Sequence, residues 1–180
     1  MKRVYLDYAA TTPIDKRVFK AMEPYFGFSA KGGPASGWGN SMSLHSFGQE
    51  AKLALENSRQ IFADMLNAEP NEIVFTGSAT ESNNTALKGL AFSNKEKNHI
   101  IISSIEHPCI VESAKWLEKQ GFSVTKLPVD KFGMINPEDV KKSITDKTIL
   151  VSIIHASNEI GTIQPIAKIG KICKEKGVYF

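Results

Sequence analysis

Over positions 47–66 the apolar residues return every three to four places: Phe47, Ala51, Ala54 and Leu55, Ile61 and Phe62, Met65 and Leu66. That period predicts one long amphipathic helix. A shorter helix is expected from a cap at Asp15 to about Phe26, with Val18, Met22 and Tyr25 on its apolar side. Between the two, residues 27–43 are rich in glycine and serine and carry no period. A loop of that length in a compact domain is usually functional or mobile. From residue 72 onward the pattern changes. Short continuous apolar runs at 72–76, 100–102, 124–127 and 148–154 predict strands. Helical stretches separate them at 79–91, from Pro108 to just before Gly121, at 137–144, and from Pro165 to Gly177. Val178-Tyr179-Phe180 then opens what looks like one more strand.

Continuous apolar strands alternating with helices imply an α/β fold: a mostly parallel sheet with helices on both faces. Sheets of this kind bind ligands beyond the carboxyl ends of their strands. The abrupt finish, a few residues into an apolar strand without a polar tail, predicts that the chain is part of a longer one.

Composition narrows the classes. At 180 residues, 42% hydrophobic and 23% charged, the chain can bury a core of one domain or a little more. The net charge of +3 is spread thinly, which argues against nucleic-acid binding and against a polybasic membrane anchor. No apolar run is long enough to span a bilayer, and Asp7 interrupts the N-terminus before any signal-peptide core can form. Two cysteines, Cys109 and Cys173, form neither a disulfide framework nor a metal-type spacing; a reducing cytoplasm suits them, and no metal is expected.

Three polar clusters fall where the strands end. Thr76-Gly77-Ser78-Ala79-Thr80-Glu81 joins a strand to a helix. Glycine permits the turn, and the helix N-terminus offers backbone N–H groups and a positive dipole end suited to a phosphate. Taken alone, it is equally a serine-capped helix with nothing bound. Walker A and G-x-G-x-x-G runs are absent, against nucleoside triphosphates and dinucleotides. Glu106-His107-Pro108 follows the Ile100–Ile102 strand, where an imidazole can stack on an aromatic cofactor or shuttle protons, or simply lie on the surface. His155-Ala156-Ser157-Asn158-Glu159-Ile160-Gly161 follows the most apolar strand. Asn158 can recognise a phenolic oxygen there, or Asn158 and Gly161 can serve backbone geometry alone.

Together these runs are similar to the cysteine desulfurases of the class V aminotransferase superfamily. The likeness is carried by Tyr5-Leu6-Asp7-Tyr8-Ala9-Ala10-Thr11-Thr12-Pro13, Leu44-His45-Ser46-Phe47-Gly48, Phe75-Thr76-Gly77-Ser78-Ala79-Thr80-Glu81-Ser82-Asn83-Asn84, Glu106-His107-Pro108 and His155 through Thr162, in the family's order and spacing. It covers essentially the whole chain. The resemblance implies a PLP-dependent transferase of fold type I, present as an incomplete large domain. Residues 16–180 would form the N-terminal part of that domain, and residues 1–15 an arm belonging to the small domain.

The resemblance further implies pyridoxal 5′-phosphate as cofactor and L-cysteine as substrate. Sulfur would leave as an enzyme persulfide destined for iron–sulfur cluster assembly or tRNA thiolation, and alanine would remain. Carried over by position, Ala79 and Thr80 bind the cofactor phosphate, His107 stacks on the ring and assists proton transfer, and Asn158 hydrogen-bonds the phenolic oxygen. A homodimer, with sulfur-acceptor or scaffold proteins as partners, belongs to the same expectation. The family's ring-pairing aspartate, cofactor-linking lysine and sulfur-accepting cysteine would lie beyond Phe180, so these 180 residues alone are expected to be inactive. Cys109, beside His107 at a helix start, is taken as structural or incidental, because the family's acceptor sits on a later loop. The sequence departs from the family near residue 40: Gly39-Asn40-Ser41-Met42-Ser43 lacks a usual proline, and Ser29–Trp38 resembles an insertion. A selenocysteine lyase or another class V aminotransferase is the nearest alternative, and a noncatalytic, truncated binding module is the alternative of another class.

Overall fold

The computed structural model describes residues 3–27 and 37–180; most of the apparent insertion at Ser29–Trp38 lies outside them. Described residues fall into two compact units that divide between Phe75 and Thr76.

In the first unit, Asp15 caps helix α1 (Lys16–Met22), its carboxylate accepting the Arg17 N–H at 2.8 Å. A short 3₁₀ turn at Glu23–Tyr25 continues it, so the single helix expected to Phe26 is really two pieces. The cause is Pro24, which suits the first turn of a new element but cannot continue an old one. Helix α2 (Ser46–Leu66) matches its sequence period. The His45 ring accepts the Gly48 N–H at 3.3 Å at its start, and Asn67 ends it in the left-handed region at φ 52°.

The strand expected at 72–76 does not form. Pro70–Glu72 is a 3₁₀ turn, and Ile73 continues in an extended conformation, but no neighbouring strand pairs with the segment among the described residues. A strand is completed only by another strand's N–H and C=O groups, whereas a helix supplies its own.

The second unit carries the sheet. Helix α3 (Ala79–Ser93) leads to β1 (His99–Ser103), α4 (Pro108–Lys119), β2 (Ser123–Leu127), α5 (Pro137–Ser143), β3 (Thr148–Ser152) and α6 (Ile166–Glu175). The three strands are parallel in the order β2-β1-β3. Tyr179 then pairs in parallel with Leu150 on the free side of β3. All five residues of β1 are buried. Ile100 and Ile102 pack with Leu87 and Ala91 of α3 and with Ile110, Ala114 and Leu117 of α4. Ile101 faces the other way, with Val140 of α5 and Ile169 and Cys173 of α6. Alternation along one strand therefore builds a core on each face, as expected for a covered parallel sheet.

Chain direction fixes where a ligand can sit. The connection leaving β1 runs through α4 to β2 on one side, and that leaving β3 runs through α6 to Tyr179 on the other. Right-handed crossovers in opposite directions put α4 and α6 on opposite faces. The neighbouring carboxyl ends of β1 and β3 thus mark the switch point of the sheet, where open α/β folds hold their ligands.

Candidate active site

A cavity of about 270 Å³ opens at that switch point. Ala79 and Asn83 of α3 line it, with Glu106, His107 and Cys109 from the segment after β1. Ser152, Ile153 and Ile154, at the end of β3, close it with a largely apolar wall.

The turn into α3 is built by its own side chains. Ser78 is the N-cap, its hydroxyl accepting the Glu81 N–H at 3.2 Å, while the Glu81 carboxylate accepts the Gly77 N–H at 2.7 Å. The Thr76 and Ser82 hydroxyls meet at 2.6 Å, and both reach the Ser78 carbonyl. Ser78 is thus the serine cap that the sequence offered for this turn. Ala79 and Thr80 are the first two helical residues, whose N–H groups have no carbonyl a turn earlier within the helix. Those amides and the dipole end make this rim of the cavity favourable for an anion.

His107 is the N-cap of α4, and its Nδ1 lies 3.2 Å from the Cys109 backbone N and 2.9 Å from the Cys109 Sγ. Glu106 performs a different task. Its Oε1 accepts the Ser103 hydroxyl at 2.7 Å and the Ile154 N–H at 2.6 Å, which joins the carboxyl ends of β1 and β3 under the cavity. Burial pushes the Glu106 carboxyl above its ordinary value, opposed by those two hydrogen bonds.

The His155–Thr162 run folds into a small hairpin beyond β3, in which Ala156 pairs with Ile163 and the Gly161 N–H reaches the Ser157 carbonyl at 2.8 Å. Gly161 stands at φ 74°, which glycine adopts freely. Asn158 is exposed on this turn.

Of the four residues singled out from the sequence, Ala79 and His107 share the cavity wall. Thr80 follows Ala79 in the first turn of α3, with its carbonyl accepting from the Asn84 amide at 2.8 Å, and Asn158 stands at the same strand end on the hairpin; neither lines the cavity. Two lining residues, Asn83 and Glu106, had no role assigned from sequence. The signal for Asn83 was its spacing, one helical turn after Ala79 and so on the same face. A larger concavity of about 610 Å³ lies between the segment after β2 and the start of α6, near Asp130 and Lys168, and holds none of the four. Its Asp130 Oδ1 already accepts the Phe132 and Met134 N–H groups, each at 2.8 Å. No helix among the described residues is long and apolar enough to cross a membrane.

Comparison with known proteins agrees with this architecture. The sequence pattern of the family described as aminotransferase class-V matches residues 4–180, so the chain belongs to the class V aminotransferase family. Among curated relatives, the cysteine desulfurase IscS of Methanosarcina thermophila is 50% identical over 180 residues, 99% of this chain and 43% of the relative. The protein of that name from Clostridium botulinum (strain Kyoto / Type A2) is 49% identical, again over 99% of this chain and 43% of its own length. This chain therefore spans less than half the length of these relatives. A solved structure described as a NifS-like protein superposes with a TM-score of 0.86 at 40% identity, covering 97% of this chain and 46% of that one. Another, described as SspA in complex with cysteine, gives 0.85 at 41% identity and covers 97% and 49%.

Proposed function

We propose that this chain is part of a pyridoxal 5′-phosphate-dependent cysteine desulfurase, a protein that takes sulfur from L-cysteine, leaves alanine, and passes the sulfur on for iron–sulfur cluster assembly or tRNA thiolation. Residues 16–180 contribute the first part of its large cofactor domain, and residues 1–15 an arm to its small domain. The whole protein works in the cytoplasm as a homodimer that meets sulfur-acceptor or scaffold proteins. The observation that carries this reading is the convergence of the α3 N-terminus and His107 on one cavity at the sheet's switch point.

The residues fit such a cofactor. At about 270 Å³ the cavity lies at the small end of ligand sites, which suits one substituted pyridine. A helix N-terminus meets its phosphate, an imidazole offers a flat face to its ring, and Ile153 and Ile154 supply apolar contact. When bound, pyridoxal phosphate supplies an electron sink for chemistry at an amino acid's α-carbon. This chain's residues bind and orient it. The Ala79 and Thr80 amides hold the phosphate, with the Thr80 hydroxyl as a further donor. His107 stacks on the ring and holds a proton at Nε2, and Asn158 donates its side-chain amide N–H to the phenolic oxygen. L-Cysteine as substrate is supported by the names of the relatives and by the neighbour described in complex with cysteine.

The test uses pyridoxamine 5′-phosphate, which forms no imine with the chain's many lysines. Titrated into the isotopically labelled 180-residue chain, it should move the amide resonances of Ala79, Thr80, His107 and Asn158 first. Pyridoxamine without its phosphate should bind at least about tenfold more weakly, given the worth of charge-assisted hydrogen bonds. Shifts clustering instead around Asp130 and Lys168, or equal binding without the phosphate, would overturn the assignment. The chain alone should release no alanine from L-cysteine.

A further inference from the structure

The cavity wall contains a side-chain relay that the cofactor reading leaves unused. The Asn83 Nδ2 lies 3.0 Å from the Cys109 Sγ, and that sulfur lies 2.9 Å from the His107 Nδ1. All three residues line the cavity. We infer that Cys109 and Asn83 are positioning residues for His107, fixing its imidazole with Nδ1 turned into the first turn of α4 and the ring proton on Nε2. This rests on the functional reading above only for what the ring then does.

Directionality carries the inference. The Cys109 backbone N–H, 3.2 Å from Nδ1, can only donate, so Nδ1 must present its lone pair. A neutral ring that accepts at Nδ1 carries its hydrogen at Nε2. The same logic orders the thiol. Asn83 donates an amide N–H to a sulfur lone pair, which leaves the S–H to point at the remaining neighbour, Nδ1. Two donors, one backbone and one thiol, therefore converge on a single ring atom. The ring's remaining polar atom, Nε2, keeps its proton available.

Placement adds a second link. Asn83 stands one turn beyond Ala79 on α3, so the helix whose N-terminus faces the anion also sets the ring clamp. The next residue makes a parallel connection: the Ser113 hydroxyl, one turn along α4 from Cys109, shares its hydrogen between the Cys109 carbonyl at 2.7 Å and the Asn84 Oδ1 at 3.0 Å. Asn84 and Ser113 tie the same two helices together without touching His107. They provide the control that separates ring positioning from helix packing.

The experiment reads the ring directly. With ¹⁵N-histidine in the 180-residue chain near pH 8, the His107 Nδ1 should resonate as an unprotonated nitrogen shifted by hydrogen bonding, and Nε2 as the protonated one. Cys109→Ala should move the Nδ1 resonance toward that of a free imidazole nitrogen. Cys109→Ser, which restores an O–H donor, should return it. Asn83→Leu should give an intermediate shift, and Ser113→Ala should lower stability yet leave the ring signal in place. A protonated Nδ1 in the wild-type chain would overturn the inference before any variant is made, as would an Nδ1 signal indifferent to Cys109→Ala. Pyridoxamine 5′-phosphate should bind several-fold more weakly to Cys109→Ala than to Cys109→Ser. If the wild-type chain fails to bind that ligand while Nδ1 responds as stated, the cofactor reading falls and the positioning role stands.

Discussion

Helix α2 in the first unit carries an apolar stripe and strand β1 in the second an apolar run, and the two meet opposite fates. Of the 21 residues of α2 only Gly48 and Ala63 are buried; Leu53 and Leu66 remain 63% and 68% exposed. All five residues of β1 are buried, with Ile100, Ile101 and Ile102 at 0% exposure. Yet α2 is fully formed. Its hydrogen bonds close within four residues, and His45 and Asn67 finish its ends, so its backbone groups are satisfied without a neighbouring element. A strand has no such independence. β1 exists because β2 and β3 flank it, and 73–76 fails as a strand because nothing flanks it among the described residues. Hydrophobic period specifies the kind of element; burial is decided by what the element finds beside it.

That contrast should appear as stability. Ile101→Ala, in a strand packed from both faces, should cost about 2–5 kcal/mol in urea unfolding. Leu53→Ala, on the exposed side of α2, should stay within about 0.5 kcal/mol. Amide hydrogen exchange should likewise find β1 opening only with the global transition and α2 opening far below it. Equal losses from the two substitutions would break the comparison, because α2 would then be burying surface that the structure leaves open.

The same reasoning explains what was legible in the sequence. Every helix from α2 to α6 was readable from its period and caps, including the starts at Pro108 and Pro137. The parallel sheet followed from continuous apolar runs such as Ile100–Ile102, and the placement of ligands beyond the carboxyl ends of the strands from that kind of sheet; the strand order that fixes the switch point did not. The non-strand at 73–76 could not be read, since Ile73, Val74 and Phe75 look strand-like whether or not a neighbour exists. Pro24 did signal the break after α1, but the apolar period ran through it. At the site, motif residues such as Ala79 and His107 stood out by position. Asn83 had no role assigned and Cys109 was read as structural or incidental, because the contact between them depends on two helices, 26 residues apart in sequence, meeting side by side.

A smaller effect sharpens the comparison through pH. His99 is buried at the start of β1, its Nδ1 2.8 Å from the Thr148 hydroxyl and its Nε2 2.9 Å from the Thr125 hydroxyl. Thr148 Oγ1 also accepts the Thr145 N–H at 2.8 Å, so both ring nitrogens meet hydroxyls, one on β3 and one on β2. Burial lowers the His99 pKa by penalising the imidazolium. The folded state therefore binds fewer protons than the unfolded one. Its contribution is complete above the unfolded value of about 6.5 and is lost as pH falls through and below it. Urea midpoints from pH 7.5 to 5.5 should drop for the wild type and drop less for His99→Gln. Thr148→Val, which strands Nδ1, should cost about 1–3 kcal/mol at neutral pH. A wild-type slope unchanged by His99→Gln would place the acid sensitivity outside the sheet.

The smallest expected effect sets one carboxyl in each unit against the other. Asp15 is exposed, and the Arg17 guanidinium grips it with two contacts of 3.0 Å, which holds its pKa below the ordinary value. Any stability it lends is present above the ordinary aspartate value and fades as pH falls through its folded one. Glu106 is the reverse case. Burial raises its pKa, so the folded state binds more protons, and stability declines as pH rises from the ordinary glutamate value of about 4.3 toward the folded one. Glu106→Gln keeps an oxygen to accept from Ser103 and Ile154 but removes the buried charge. Between pH 4 and 7 its stability relative to wild type should climb, whereas Asp15→Asn should lose ground as pH rises toward about 4 and hold level above it. Both follow from chemical denaturation at a series of pH values. Slopes of the same sign in the two windows would mean that the partners of Glu106 favour its charge more than burial penalises it, as those of Asp15 do.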